Sequence, residues 1–300
     1  MLPLYLEQMN LNELRQRADR LNEMLKECEI CPRRCLVKRT RGEYGVCRST
    51  DKIFISNAGP HFGEEPPLVG LYGSGTIFFT NCNLCCQFCQ NFDISHLRSG
   101  YHLTSDELAQ IMINLQNKGC HNINLVTPTH YTPQIVEALI TAVEKGLEIP
   151  LVYNCGGYES IQVLRLLENI IDIYMPDIKY SDNENARKYS GVKNYWQTTI
   201  VAVKEMFRQV GNLKTNRKGI AERGLIIRHL VLPNGIGGSK KIIDFVAKEI
   251  SKDSYINIMD QYHPAYRAYR HKELSRRINV SEYSEVIEYA FQNELHSGIM

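Results

Sequence analysis

Four cysteines fall within eight residues in the stretch TNCNLCCQFCQN: Cys82, Cys85, Cys86 and Cys89. Three thiolates on one loop can hold three irons of a [4Fe–4S] cluster, which leaves the fourth iron without a protein ligand. An open coordination position marks a metal centre that does chemistry, as it does for zinc. Two registers supply the three ligands, Cys82-x3-Cys86-x2-Cys89 and Cys82-x2-Cys85-x3-Cys89. The competing reading is a four-cysteine zinc site. It would need both Cys85 and Cys86, and adjacent residues make poor co-ligands of a tetrahedral ion.

A second set, Cys28-x2-Cys31-x3-Cys35-x11-Cys47, also has metal spacing. Four thiolates make a closed site, either zinc or an auxiliary iron–sulfur cluster. Arg33, Arg34, Lys38, Arg39 and Arg41 surround it. That charge suits an anionic cluster or a partner surface; it could equally be solvated loop charge. Cys120 and Cys155 stand alone, and a lone cysteine is usually a small buried hydrophobe.

The chain of 300 residues suits one large domain or one domain with an appendage. An apolar share of 43% with 23% charged residues is ordinary for a globular protein. A net charge of +2 argues against a dedicated nucleic-acid binder, which carries a basic patch. The first twenty residues, MLPLYLEQMNLNELRQRADR, have no apolar core and no small-residue cleavage site, so no secretory signal is expected. No 18-residue apolar window occurs, so no membrane span is expected either. The expected location is the cytoplasm, where ten cysteines serve metals or catalysis better than disulfides.

Elements must bring these residues together. Leu11, Leu14, Ala18, Leu21 and Leu25 recur at helical spacing behind Asn10 and Glu13, which predicts a helix over roughly 10–27. Residues 28–74 read as loop organised by metal, with PHFGEEPPLVG as a linker. The pattern then alternates. Strands are expected at 75–80, 122–127, 149–154, 171–177, 224–233 and 255–260. Helices are expected after Thr104, Thr132 and Glu159, over 184–190 and 195–209, after Ser239, and over 281–293. Strand and helix alternate six times, which implies parallel strands joined by right-handed crossovers. An open barrel and a doubly wound sheet both fit, and both put the ligand site at the C-terminal strand ends. Cys82 follows the first of these strands by two residues.

The loop resembles the radical S-adenosylmethionine (SAM) signature Cx3CxΦC, with Φ aromatic. Phe88 fills Φ only in the first register, which selects Cys82, Cys86 and Cys89 and leaves Cys85 surplus. The resemblance extends through VTPTHYTPQIVEAL, PLVYNCGGYE, DIYMPDIKY, RHLVLP, NIMDQYHP and CEICPRRC to the pyruvate formate-lyase-activating-enzyme-like radical SAM proteins, over nearly the whole chain. It implies an α/β fold: a partial (β/α)6 TIM-like barrel over 75–300, preceded by an N-terminal helix and cysteine-rich metal-binding segment over 1–74. It also implies a [4Fe–4S] cluster whose open iron chelates SAM. Reductive cleavage then yields a 5′-deoxyadenosyl radical that abstracts hydrogen. An electron donor such as flavodoxin or ferredoxin is implied, and a glycyl radical enzyme or other peptide as substrate; no nucleic-acid or membrane partner is.

By the same resemblance, Arg228 matches an activase Arg that contacts SAM, Asp177 and Lys179 match an Asp-x-Lys motif, and Tyr262 and His263 match a Tyr-His pair; with Asn154 at the end of the third strand, Asp177, Lys179, Arg228 and His263 are the candidate cofactor-binding residues. Lys and Arg suit the SAM carboxylate, and Asp, Asn and Thr suit its ammonium and ribose. Thr127, Thr129 and His130 stand where the activases carry Gly-Gly-Glu, and Asn154 replaces an acid. His229 alternates with Arg228 and should face outward, as a packing residue. GGYE at 156–159 reads as a strand-to-helix turn. The rival functions are modification of another peptide or a small molecule, and a non-catalytic iron–sulfur electron carrier.

Overall fold

A computed structural model of the chain describes residues 1–299. In chain order the strands are β1 (Ile53–His61), β2 (Ser74–Phe79), β3 (Tyr101–Leu103), β4 (Ile123–Val126), β5 (Leu151–Cys155), β6 (Ile173–Pro176), β7 (Lys214–Thr215), β8 (Ala221–Leu230) and β9 (Tyr255–Met259). Six of them, β2, β4, β5, β6, β8 and β9, pair side by side and all parallel. This is the open (β/α)6 barrel. Strand β1 runs antiparallel along β2 and carries β3 on its other edge, while β7 is a short antiparallel addition to β8.

The helices are α1 (Leu4–Glu7), α2 (Leu11–Glu23), α3 (Pro66–Val69), α4 (Phe92–Ser95), α5 (Ser105–Asn117), α6 (Thr132–Glu144), α7 (Ile161–Leu166), α8 (Asn183–Ser190), α9 (Tyr195–Val210), α10 (Ser239–Phe245) and α11 (Val280–Gln292). Local chemistry sets several boundaries. Asn10, Thr104 and Asn279 each form a capping box with the glutamate three residues on, Glu13, Glu107 and Glu282. Each box satisfies two otherwise orphaned backbone N–H groups. At α10 the expected cap is displaced. Gly238 is the N-cap, and the Ser239 hydroxyl is engaged by His229 Nε2 at 2.8 Å.

Residues 28–74 are not all loop. Strand β1 occupies 53–61, and α3 follows it. A bulge between Ile55 and Asn57, then Gly59 and Pro60, hide its alternation in the sequence. Pro60 is tolerated because it pairs with β2 alone, opposite Gly75. The sheet therefore runs straight across the boundary at 74/75.

Alternation along the strands sorts side chains into two environments. One parity packs outward against the helices, as with Ile77, Leu125, Tyr153, Tyr174 and Ile227 in the main core. The other points into the barrel. At its lower end Val152, Ile173, Met175 and Ile226 surround Leu68 from α3. The segment read as a linker is thus the barrel's apolar floor. Asn122 Nδ2 fastens it by donating to the Leu68 carbonyl at 2.9 Å.

Candidate active site at the barrel mouth

Above that floor the barrel turns polar. Asn154 of β5, Asp177 just past β6 and Arg228 of β8 share inward parity and meet. Arg228 Nε donates to Asp177 Oδ1 at 2.8 Å, and Nη2 donates to Asn154 Oδ1 at 2.7 Å. Lys179 Nζ donates to the other Asp177 oxygen at 2.6 Å. From below, Glu64 and Glu65 approach Arg228 Nη1 at 3.5 and 3.6 Å. Asn257 Nδ2 of β9 donates to Glu65 at 3.2 Å. Three carboxylates thus face two cations in one half-buried layer.

The charges tune one another. Burial alone would raise the Asp177 carboxyl, but Arg228 and Lys179 hold it at about 2. Burial alone would lower Lys179, but Asp177 holds it above the ordinary lysine range. Glu64 is pushed up by burial, with Arg228 opposing. One phenol fixes the backbone around this set. Tyr195 Oη bridges the carbonyls of Gly156 and Asp177 at 3.1 Å each and accepts from Lys179 N at 2.9 Å.

The cysteine loop hangs over this layer from the end of β2. Burial pushes the thiols of Cys82, Cys86 and Cys89 up, to about 11 for Cys86, where the Lys179 ammonium opposes it most. Hydroxyls reach two of the sulfurs. Ser190 Oγ donates to Cys86 Sγ at 3.0 Å, and Ser95 Oγ lies 3.1 Å from Cys89 Sγ. Leu84 N donates to Cys82 Sγ at 3.3 Å. Cys85 turns elsewhere, toward Arg33 Nη2 at 3.9 Å and Gly191. Phe88 packs edge-on against Tyr180 and Tyr262 in an aromatic roof. Tyr262 is pinned by its hydroxyl to the Leu274 carbonyl at 2.6 Å.

The structure therefore brings together Cys82, Cys86, Cys89, Asn154, Asp177, Lys179 and Arg228. Thr127 stands beside them at the end of β4, with φ +60° and its N–H donating to the Asn154 carbonyl at 2.8 Å. The other strand-end residues go elsewhere. Thr129 is buried and donates to Glu159 at 2.7 Å. Glu159 also receives the Tyr153 hydroxyl, and burial lifts its carboxyl to about 8. His130 is buried against the first cysteine set, and burial lowers it to about 3. His263 is exposed at the rim, 3.3 Å from Gln90. His229 faces outward as expected, its Nδ1 donating to the Ile178 carbonyl at 2.7 Å. Cys120 and Cys155 are buried singly. Glu64 and Glu65 carry no signal in sequence beyond two adjacent acids before Pro66-Pro67.

Residues 76–217 match the family model described as the radical SAM superfamily. The chain belongs to the radical SAM superfamily. Its members use a [4Fe–4S] cluster and SAM. The chain is 32% identical over 293 residues to the uncharacterized protein MJ0674 of Methanocaldococcus jannaschii, covering 95% of this chain and 80% of that one. A second uncharacterized protein of that organism, MJ0808, is 25% identical over 83% of this chain and 74% of its own length. Among solved structures, a radical SAM methyltransferase from Sphaerobacter thermophilus superposes with a TM-score of 0.52 at 11% identity, covering 96% of this chain and 93% of that one. The FeFe-hydrogenase maturase HydG from Carboxydothermus hydrogenoformans gives 0.51 at 13% identity, over 73% of this chain and 50% of that one. Streptococcus suis SuiB bound to S-adenosylmethionine gives 0.50 at 12% identity, over 74% and 48%. These likenesses show the radical SAM barrel. No helix among the described residues is long and apolar enough to cross a membrane.

Proposed function

We propose that Cys82, Cys86 and Cys89 hold the radical SAM cluster and that the polar layer beneath them holds SAM. The observation that carries this is the linked set Lys179–Asp177–Arg228–Asn154, with the Cys82 loop brought beside Lys179 where Leu84 and Lys179 both pack on Gly156. The donor set fits. Three thiols lie in one loop beside the half-buried Lys179 ammonium, and Cys85 turns toward Arg33. The charge fits too. Asp177, Glu64 and Glu65 outnumber Arg228 and Lys179 by one, which favours a ligand carrying a sulfonium and an ammonium against one carboxylate.

When bound, the reduced cluster and SAM supply a 5′-deoxyadenosyl radical, the electron coming from a flavodoxin- or ferredoxin-type donor. The protein's own residues position and exclude. Lys179 and Arg228 offer N–H donors to a carboxylate. Asn154 and Asp177 offer acceptors to ammonium or ribose hydroxyl. The aromatic roof of Phe88, Tyr180 and Tyr262 keeps water from the loop.

For the substrate we propose a backbone glycine of a partner protein, whose Cα–H bond breaks to give 5′-deoxyadenosine and a glycyl radical. The exposed side chains Val46 and Leu97 support it: Val46 lines a cavity of about 310 Å³ with Cys82 and Cys85, and Leu97 follows its lining residue His96. The engagement of Thr129 by Glu159, where the activases carry Gly-Gly-Glu, favours a second reading, another peptide or a small molecule.

The test is 5′-deoxyadenosine formation from SAM and dithionite by the anaerobically reconstituted chain. Cys86→Ala should abolish it, and Cys85→Ala should keep both cluster and activity. Cluster loss in Cys85→Ala would show that the other register holds the iron. A loaded cluster with no deoxyadenosine, even with a partner present, would favour the electron carrier.

A further inference from the structure

The first cysteine set is also gathered by the fold. Cys28, Cys31 and Cys35 lie on a turn closed by Cys28 N to the Val37 carbonyl and Leu36 N to the Cys28 carbonyl, at 3.0 and 3.1 Å. Cys47 comes in from the next turn. The Gly45 backbone lies so close to Cys35 that an added Cβ would sit 3.0 Å from its Sγ. All four cysteines line one pocket, together with Arg39 and His130.

Two buried groups there have no answering partner in the protein. Arg39 is 1% exposed, lies 4.0 Å from Cys28 Sγ through Nη1, and otherwise donates only to the Thr50 carbonyl. No carboxylate pairs with it among the described residues. A buried guanidinium without a counter-charge is strongly destabilising, so the cage has to be anionic. His130, also 1% exposed, spends its Nε2–H on the Thr80 carbonyl at 2.8 Å, and its Nδ1 meets no partner.

The spacing selects the occupant. In a zinc tetrahedron each sulfur lies about 2.3 Å from the metal, whereas a cluster places iron and sulfide between its four thiolates and holds them farther apart. Among the described residues no three His, Cys, Asp or Glu side chains converge at the spacing of a single ion, and that includes the Cys82 loop proposed above to hold a cluster. We propose that Cys28, Cys31, Cys35 and Cys47 hold a second [4Fe–4S] cluster, closed by four thiolates and balanced by Arg39.

The second cluster borders the first site. Arg33 lines the cage and donates to the Asn83 carbonyl, within the Cys82 loop. Cys47 faces the same 310 Å³ cavity as Cys82 and Cys85.

The experiment counts iron, sulfide and zinc in the anaerobically reconstituted full chain, with EPR of the reduced protein before and after SAM. Wild type should hold about eight irons, two clusters of four, and one of two EPR signals should stay fixed when SAM is added. Cys82→Ala/Cys86→Ala/Cys89→Ala should keep about four irons and only the fixed signal, whatever becomes of the proposed SAM site. Arg39→Gln should lower the midpoint potential of the fixed signal and leave the SAM-responsive one in place. One tightly held zinc per chain after zinc alone is offered, or a wild type with about four irons and a single signal that SAM shifts, would overturn the proposal.

Discussion

Arg228 is the residue on which most of the site's electrostatics turn. It faces Asp177, Glu64, Glu65 and Asn154 at once. Removing one member of a buried ionic set costs about 3–5 kcal/mol because the partners stay buried and unpaired. Arg228→Met should lose stability on that scale in urea unfolding, with SAM cleavage lost as well. An unchanged midpoint would mean that water reaches the carboxylates. His229, one residue on and facing the other way, makes a different prediction. Burial holds it neutral, at about 4 against an ordinary value of 6.5. The unfolded chain therefore binds a proton between those values that the folded chain refuses, and stability falls as pH drops through that window. The contribution is fully present above pH 6.5. His229→Gln should flatten the slope of melting temperature against pH between 6.5 and 4, whereas an unchanged slope would assign it to other groups.

At the scale of elements, the turn after β5 decides where Asp177 sits. Gly157 has φ +75°, and a Cβ there would come within 2.5 Å of the Asp177 carbonyl oxygen. Gly157→Ala should therefore cost more than the ~1 kcal/mol of an ordinary left-handed alanine, and should lower SAM cleavage by displacing Asp177. Melting temperature and deoxyadenosine yield measure the two effects. The elements themselves were largely legible. All six parallel strands follow from alternation, and the capping boxes at Asn10 and Thr104 from polar caps three residues ahead of glutamate, while the box at Asn279 is added by the structure. Strand β1 was not, because a bulge, a glycine and a proline break its period, and its stability comes from pairing with β2. Nor was α3, whose four residues have no period to read and whose Leu68 becomes the barrel floor only when the strands surround it.

Across the whole molecule, helix α2, the cysteine-rich segment and the barrel share packing and hydrogen bonds. Leu14, Ala18 and Leu21 lie in the same core as the strands, and Arg33 reaches the Cys82 loop at the Asn83 carbonyl. Ligand binding should therefore register in global unfolding. SAM at a hundredfold its dissociation constant should stabilise the cluster-loaded protein by about 2.7 kcal/mol, read as a rise in melting temperature that the cluster-free protein does not show. A rise without the cluster would place SAM on the polar layer alone.

The sequence by itself determined the chemistry and the class of scaffold. Cysteine spacing, Phe88 and the six-fold alternation are properties of short segments, and short segments are what a linear pattern records. Only the tertiary structure decided which distant groups meet. It brought Glu64 and Glu65 under Arg228 across more than 160 residues of chain, and it sent Thr129 to Glu159 and His130 to the first cysteine cage rather than to the mouth. The physical reason is that a side chain's partner is set by strand parity and by the closing of the barrel, and neither can be counted along the chain.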